Sequence, residues 1–289
     1  MEIQKVAENT DVQAQLAQLR EWLEQKPYVP DNIEDRLYLR FLHSCYYDLE
    51  KAKTAADLFF SIRSSSPELL TNRDPLSAPF QKTFKIMKLA LYELSGNRNL
   101  WLCQLDDPGL QHYEHLLEAK LLIMSVDNWL LDNNNLQEED LIVYDFKDLS
   151  MKMLMKFNIF IARKMFKFQQ EAVPTRLKQI HLINAPFALN RIFPFVKSFL
   201  SQEMMNLIHI HPPDSTTLYD FISRDDLPEE FGGTRGKLAD SAVETVASFV
   251  KNRKYFLDDN FWRCDKNGKQ TKQEAVADPA PSNTTLPID

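Results

Sequence analysis

Residues 174–233 constrain the fold more than any other part of this 289-residue chain. They begin with a short apolar run, 179–183, that stops at Asn184-Ala185-Pro186. Its length and its stop predict a strand. A helix rich in phenylalanine is predicted next, over 187–200, with Phe187, Phe193, Phe195 and Phe199. A second strand, 207–210, ends at His211-Pro212-Pro213. A helix apolar on nearly every side, set between two strands, has to cover an apolar surface. Pro194 interrupts its hydrogen-bond ladder. A wide apolar face on an interrupted helix suits a movable lid over a greasy cavity.

The rest of the chain fits around that unit. Residues 99–105 and 141–146 read as further strands, the second apolar almost without alternation, as in a parallel sheet buried on both faces. Helices are predicted over 111–132 and 150–171. Strands about 30 residues apart with a helix between them are βαβ units, so the fold class is α/β with a mostly parallel sheet and flanking helices. Residues 1–75 are expected to form three short amphipathic helices that pack on the sheet domain, with caps at Thr10 (paired with Gln13), Asp31 or Asn32, and Asp48. The proline-containing stretch 64–81 reads as a linker. The expected units are a helical domain over 1–75, the sheet domain over 82–235, a helical extension over 236–264 and a disordered tail over 265–289.

The bulk numbers remove several function classes. The net charge of −7 disfavours nucleic acid and gives no general attraction to acidic membrane. Cys45, Cys103 and Cys264 are scattered and odd in number, which points to a reducing compartment without a disulfide framework or zinc site. The polar N-terminus is no signal peptide, and no apolar run reaches the ~18 residues of a membrane span. A soluble, cytoplasmic protein is expected.

Catalytic signatures are scarce. There is no P-loop, GxGxxG, GxSxG or HExxH. His112, His115 and Glu118 have helical spacing but no partner cluster, so a metal is not expected. Asp106-Asp107 and Asp225-Asp226 precede proline turns and read as caps. Cys103 lies in a strand core as a packed thiol. His181, His209 and His211 read as satisfied core histidines. No enzyme and no cofactor are expected.

Five segments in order then carry a resemblance: RLYLRFLHSCYYDLEKA, IVYDFKDLS, PTRLKQIHLINAPF, FVKSFL and LPEEFGG. They are similar to the LLRFLRARxFDxxxA, IxDxxGxS, PxRxxxIHxINxPxxF, KPFL and LPxEYGG elements of the CRAL-TRIO lipid-binding family, and most of all to its tocopherol-transfer-like and retinaldehyde-binding-like branches. The resemblance spans residues 12–262. It implies a helical bundle followed by a lipid-binding domain with a mobile lid helix. It implies a soluble, monomeric carrier of one tocopherol-, retinoid- or carotenoid-like molecule, moved between membranes or handed to an enzyme. An alternative use of the fold is a regulatory adaptor that docks on protein or phosphoinositide membrane.

The residues expected against the bound molecule are Met124, Val143, Phe146, Phe157, Ile161, Met165, Phe168, Leu177, Ile180, Phe187, Ile192, Phe193, Val196, Phe199 and Leu200. A thin basic rim of Arg176, Lys178 and Lys197 is expected to meet a phosphate or headgroup at a transient membrane surface. Glu203 and Leu207 stand where phosphoinositide-responsive members carry basic residues, which weakens that recognition. Thr175 replaces the glutamate of the phosphatidylinositol pattern. Asp148 replaces the glycine of IxDxxGxS, implying a different turn. Ser125 and Asp127 are candidates to approach the ligand's polar end.

Overall fold

The computed structural model describes residues 2–264; the tail expected over 265–289 lies outside them. The chain opens with α1 (Ile3–Ala7), α2 (Thr10–Glu24), α3 (Asp35–Ser44) and α4 (Leu49–Ser65). α2 is capped by Asn9, whose side chain accepts from the Asp11 and Val12 amides, not by Thr10. α3 starts past Asp31 and Asn32 without a side-chain cap, and Asp48 caps α4. These helices bury their apolar stripes against each other and against the sheet domain in one shared core.

The stretch 64–81 is not a free linker. It forms α5 (Pro67–Leu70) and part of α6 (Ala78–Ile86), each with a proline at its first or second position. Proline there has no amide that the helix needs, so it starts a helix and does not break one. The next element is a strand that the apolar pattern does not reveal, β1 (Met87–Leu94), joined to β2 (Arg98–Leu105) by a turn through Gly96 and Asn97, both left-handed.

Then come α7 (His115–Asp132), β3 (Glu139–Asp145), α8 (Lys152–Lys156), α9 (Ile159–Glu171), β4 (Leu177–Ile183), α10 (Leu189–Lys197), α11 (Gln202–Asn206) and β5 (Ile208–Ile210), and finally α12 (Leu238–Lys251) and α13 (Arg253–Leu257). The single helix expected over 150–171 is broken because Asn158 turns back and caps α9 through the Phe160 and Ile161 amides.

The sheet order is β1-β2-β3-β4-β5, with β1 antiparallel to β2 and all later neighbours parallel. Such an order moves steadily in one direction. Right-handed crossovers therefore carry α7, α9 and α10 to the same face of the sheet. The opposite face is sealed by Leu218, Ile222, Leu227 and Phe231 from the irregular segment after β5. That segment ends at Gly232 and Gly233. Gly232 is left-handed, and a Cβ on Gly233 would lie 1.9 Å from the Leu227 carbonyl oxygen, so the second glycine is a requirement of close backbone approach.

Candidate functional site

With helices on one face only, the space between sheet and helices is where a hollow forms. A cavity of about 550 Å³ lies there, a size typical of small-molecule sites. Its floor is the helix-side face of the sheet, including Trp101, Cys103, Ile142, Tyr144, Ile180 and Leu182. α7, α9 and α12 form its walls, and α10 covers one side with Leu189, Ile192, Phe193 and Val196.

An aromatic cluster joins α10 and the turn after it to α9 and the α8–α9 junction. Phe166 stacks on Phe199 at 5.9 Å, and Phe195 meets Phe157 at 5.6 Å and Phe199 at 5.5 Å. Gln170 brackets the seam: its amide nitrogen donates to the Phe199 carbonyl at 3.0 Å and its oxygen accepts from the Ser201 amide at 2.8 Å. Outside the cavity, Met155, Phe160 and Phe187 stand exposed at 80%, 75% and 76%, a level at which a large apolar side chain gains nothing from the fold.

Polar side chains punctuate the lining, and one group of them is connected. Tyr113 comes from the loop before α7, His115 and Glu118 from the start of α7, Tyr144 from β3 and Gln169 from α9. The Tyr113 hydroxyl donates to Glu118 Oε2. His115 Nδ1 accepts the Asn158 amide at 3.0 Å, and its ring stacks on Phe157 at 4.5 Å. Burial lowers the His115 pKa to about 4, so the imidazole is neutral and its proton sits on Nε2. Among the described residues no group of three or more His, Cys, Asp or Glu side chains is arranged to hold a metal ion.

A family model described as CRAL/TRIO domain matches residues 100–233, and one described as Pinta-like, UBA domain matches residues 8–80. "Alpha-tocopherol transfer protein-like" of Mus musculus is 26% identical over 82% of this chain and 68% of its own length. The Homo sapiens protein of that name is 25% identical over 79% and 66%. The chain thus spans about two thirds of the length of these relatives. "Clavesin-1" of Xenopus laevis is 29% identical over 44% of this chain and 38% of its own. A solved structure, "Crystal structure of Sfh5", is 14% identical, covers 76% of this chain and 81% of that one, and has a TM-score of 0.44.

Within the residues matched by the CRAL/TRIO model, nine of the fifteen expected residues line the cavity: Phe146, Phe157, Met165, Leu177, Ile180, Ile192, Phe193, Val196 and Leu200. Six do not. Val143 alternates with Ile142 and Tyr144 on β3 and points into the core on the far face. Met124 turns toward Phe249 and Phe256. Ile161 and Phe168 share the face of α9 that packs on the N-terminal helices, with Phe168 5.6 Å from Phe59. Phe187 points outward, and Phe199 stacks on Phe166 of α9.

Of the three residues expected in the basic rim, one is placed otherwise. Arg176 is buried, donates to the His43 carbonyl at 2.7 and 2.9 Å, pairs with Glu138 and lies over Tyr46. It clamps α3 to the sheet and is not available to a phosphate. Lys178 is exposed and donates to the Tyr46 hydroxyl at 2.7 Å, while Lys197 is exposed at the end of α10. Asp127 is fully buried between Arg63 and Arg73, away from the cavity, whereas Ser125 lines it.

Tyr113, His115, Glu118 and Gln169 are cavity residues that the sequence pattern does not mark as such. One signal for them exists: Glu118 is a lone carboxylate at the head of an apolar helix, a position that ordinarily needs a partner.

Proposed function

We propose that this protein is a soluble carrier of one small hydrophobic molecule, held under α10 and passed between membranes or to an enzyme. The observation that carries the reading is a mainly apolar cavity of about 550 Å³ covered on one side by a short helix, α10. The relatives' name, "Alpha-tocopherol transfer protein-like", supports a lipophilic cargo of that general kind. Burying ~20 apolar carbons contributes on the order of 10 kcal/mol or more, so water does not compete for the cavity and exchange takes place at a membrane.

The exposed Met155, Phe160 and Phe187 supply an apolar contact for that encounter. Arg163, Lys167, Arg191 and Lys197 are also exposed or partly exposed on α9 and α10. Lipid contact then rests on apolar insertion more than on any single phosphate site, in keeping with Glu203 exposed on α11 and with Arg176 engaged elsewhere.

Native mass spectrometry of protein purified from its own tissue tests the reading. One bound lipid per chain is expected, together with uptake from liposomes. Phe193→Asp puts a carboxylate into the cavity wall and abolishes loading while the fold persists. Phe160→Ser with Phe187→Ser slows transfer to acceptor vesicles at least fivefold without lowering Tm. Absence of both bound lipid and uptake overturns the proposal.

A further inference from the structure

Glu118 is the side chain in the cavity that the apolar reading leaves unexplained. It lines the cavity and is partly buried there. Oε2 is taken by the Tyr113 hydroxyl, itself buried, and Oε1 makes no hydrogen bond among the described residues. No basic side chain answers the charge. Lys152 and Lys156 of the adjacent α8 donate instead to the Gly109 carbonyl at 3.3 Å and the Tyr113 carbonyl at 2.9 Å. The polar lining groups Tyr144, Gln169, His115 and the Cys103 thiol are neutral or held neutral by burial. Burial also pushes the Glu118 carboxyl up to about 7 against the lowering effect of the Tyr113 hydrogen bond.

A buried carboxyl with one oxygen idle and no counter-charge is a costly arrangement for an empty apolar pocket. It is a good arrangement for receiving a donor. We infer that Glu118 Oε1 accepts a hydrogen bond from the polar end of the cargo, and that this end is an alcohol or phenol O–H and not a carboxylate or phosphate. An ionised head would bring a second negative charge into a site without a cation, and could enter only with a proton from solvent. An end with no donor would leave Oε1 unsatisfied. This inference rests on the cavity being the carrier's cargo site; it adds which end of the molecule goes where and which head groups are refused.

The test uses three probes on one C20 skeleton: geranylgeraniol, its methyl ether and geranylgeranic acid. Their affinities are measured at pH 8 by quenching of tryptophan fluorescence. The wild-type chain should bind the alcohol about tenfold or more tighter than the ether, and the acid weakest of the three. Glu118→Gln is isosteric and removes a buried charge, so the fold persists. It should weaken the alcohol several-fold and strengthen the acid by tenfold or more. Glu118→Leu should bring alcohol and ether within about twofold of each other. Equal affinities for the three probes in wild type, or an acid preference that survives Glu118→Gln, would overturn the head-group inference and leave the carrier reading standing. Failure of all three to bind would overturn both.

Discussion

Asp127 is the residue whose loss should damage this fold most. It is fully buried on α7 and receives Arg63 Nη1 at 3.3 Å and Arg73 Nη1 at 2.6 Å on the same Oδ2, with Arg63 Nη2 on Oδ1. Arg63 ends α4 and Arg73 lies between α5 and α6, so one carboxylate joins three parts of the chain. Burial pushes the Asp127 pKa up, but the two guanidinium groups outweigh it and hold the carboxyl below its ordinary value. Asp127→Asn keeps the shape and removes the charge. Two buried cations then face each other across at most about 6 Å, and at an effective dielectric constant near 20 their repulsion is ~3 kcal/mol. Breaking a buried pair costs about 3–5 kcal/mol in general. An overall loss of ~4–5 kcal/mol is expected, a large part of the stability of a typical domain, and a fall in Tm of roughly 10–20 °C for a chain of this size. Urea unfolding followed by circular dichroism gives the number. Asp132→Asn is the control: Asp132 is an exposed residue one helix turn further on, bonded to Ser248 and Lys251, and should cost under ~1 kcal/mol. Adding Arg63→Met to Asp127→Asn should restore part of the loss, because one uncompensated charge is gone. If Asp127→Asn costs no more than the control, or the second substitution deepens the defect, the triad does not hold α7 in place.

Two further outcomes are expected from the same structure. Glu118 has a raised pKa in the fold, so its protonated form favours folding: the benefit is complete below the unfolded value near 4.5 and is lost as pH rises through about 7. Glu118→Gln should therefore match wild type in urea at pH 4.5 and exceed it by ~3 kcal/mol at pH 8. His43, His115 and His181 act with the opposite sign, since burial holds their pKa at about 4, 4 and 3 and each must charge on unfolding in acid. In the Glu118→Gln background stability should fall between pH 6.5 and 4.5 by ~1–2 kcal/mol for each histidine, after allowance for solvent screening; a flat profile there refutes the assignment. Gly233→Ala forces a Cβ against the Leu227 and Arg224 carbonyls and should cost several kcal/mol, whereas Gly236→Ala meets nothing within 4 Å and should cost only the ~1 kcal/mol of a left-handed alanine. Chemical denaturation of the pair decides whether the second glycine of LPEEFGG is there for close approach or for loop freedom.

The βαβ rhythm is legible because strand-length apolar runs alternate with helix-length ones, and β2, β3, β4 and β5 lie within two residues of where the pattern puts them. The facing of individual residues is not legible. A strand buried on both sides, such as β3, carries no mark of which side is hollow, and so the pattern assigns Val143 to the cavity that Ile142 and Tyr144 line. α9 is apolar on two faces, one toward the cavity and one toward Phe59, which hides the roles of Ile161 and Phe168. Arg176 shows a different limit. A motif fixes that an arginine stands there, but its meaning depends on Glu138 and the His43 carbonyl, which come from other parts of the chain. β1 escapes notice because a helix runs directly into it, and the break at Asn158 does so because one side chain folding back decides it.

α7 ties stability and site together. Apolar residues ring this helix, so apolar packing alone would tolerate several rotations about its axis. Its buried polar groups remove that freedom. Lys120 and Asp127 are seven residues apart and share one face, where Lys120 Nζ meets the Thr71 carbonyl at 2.8 Å and Asp127 meets Arg63 and Arg73. Glu118 and Ser125, also seven apart, share the nearly opposite face and look into the cavity. A turn of the helix by one residue, about 100°, would strand Asp127 from both arginines and carry Glu118 out of the hollow. The ion triad, remote from any ligand, thus sets the angle at which Glu118 is offered to one. Weakening it should blunt the alcohol preference of the cavity before the protein unfolds, and Asp127→Asn assayed at 10 °C with geranylgeraniol and its methyl ether tests that: an unchanged affinity ratio would show that α7 keeps its rotation without the triad.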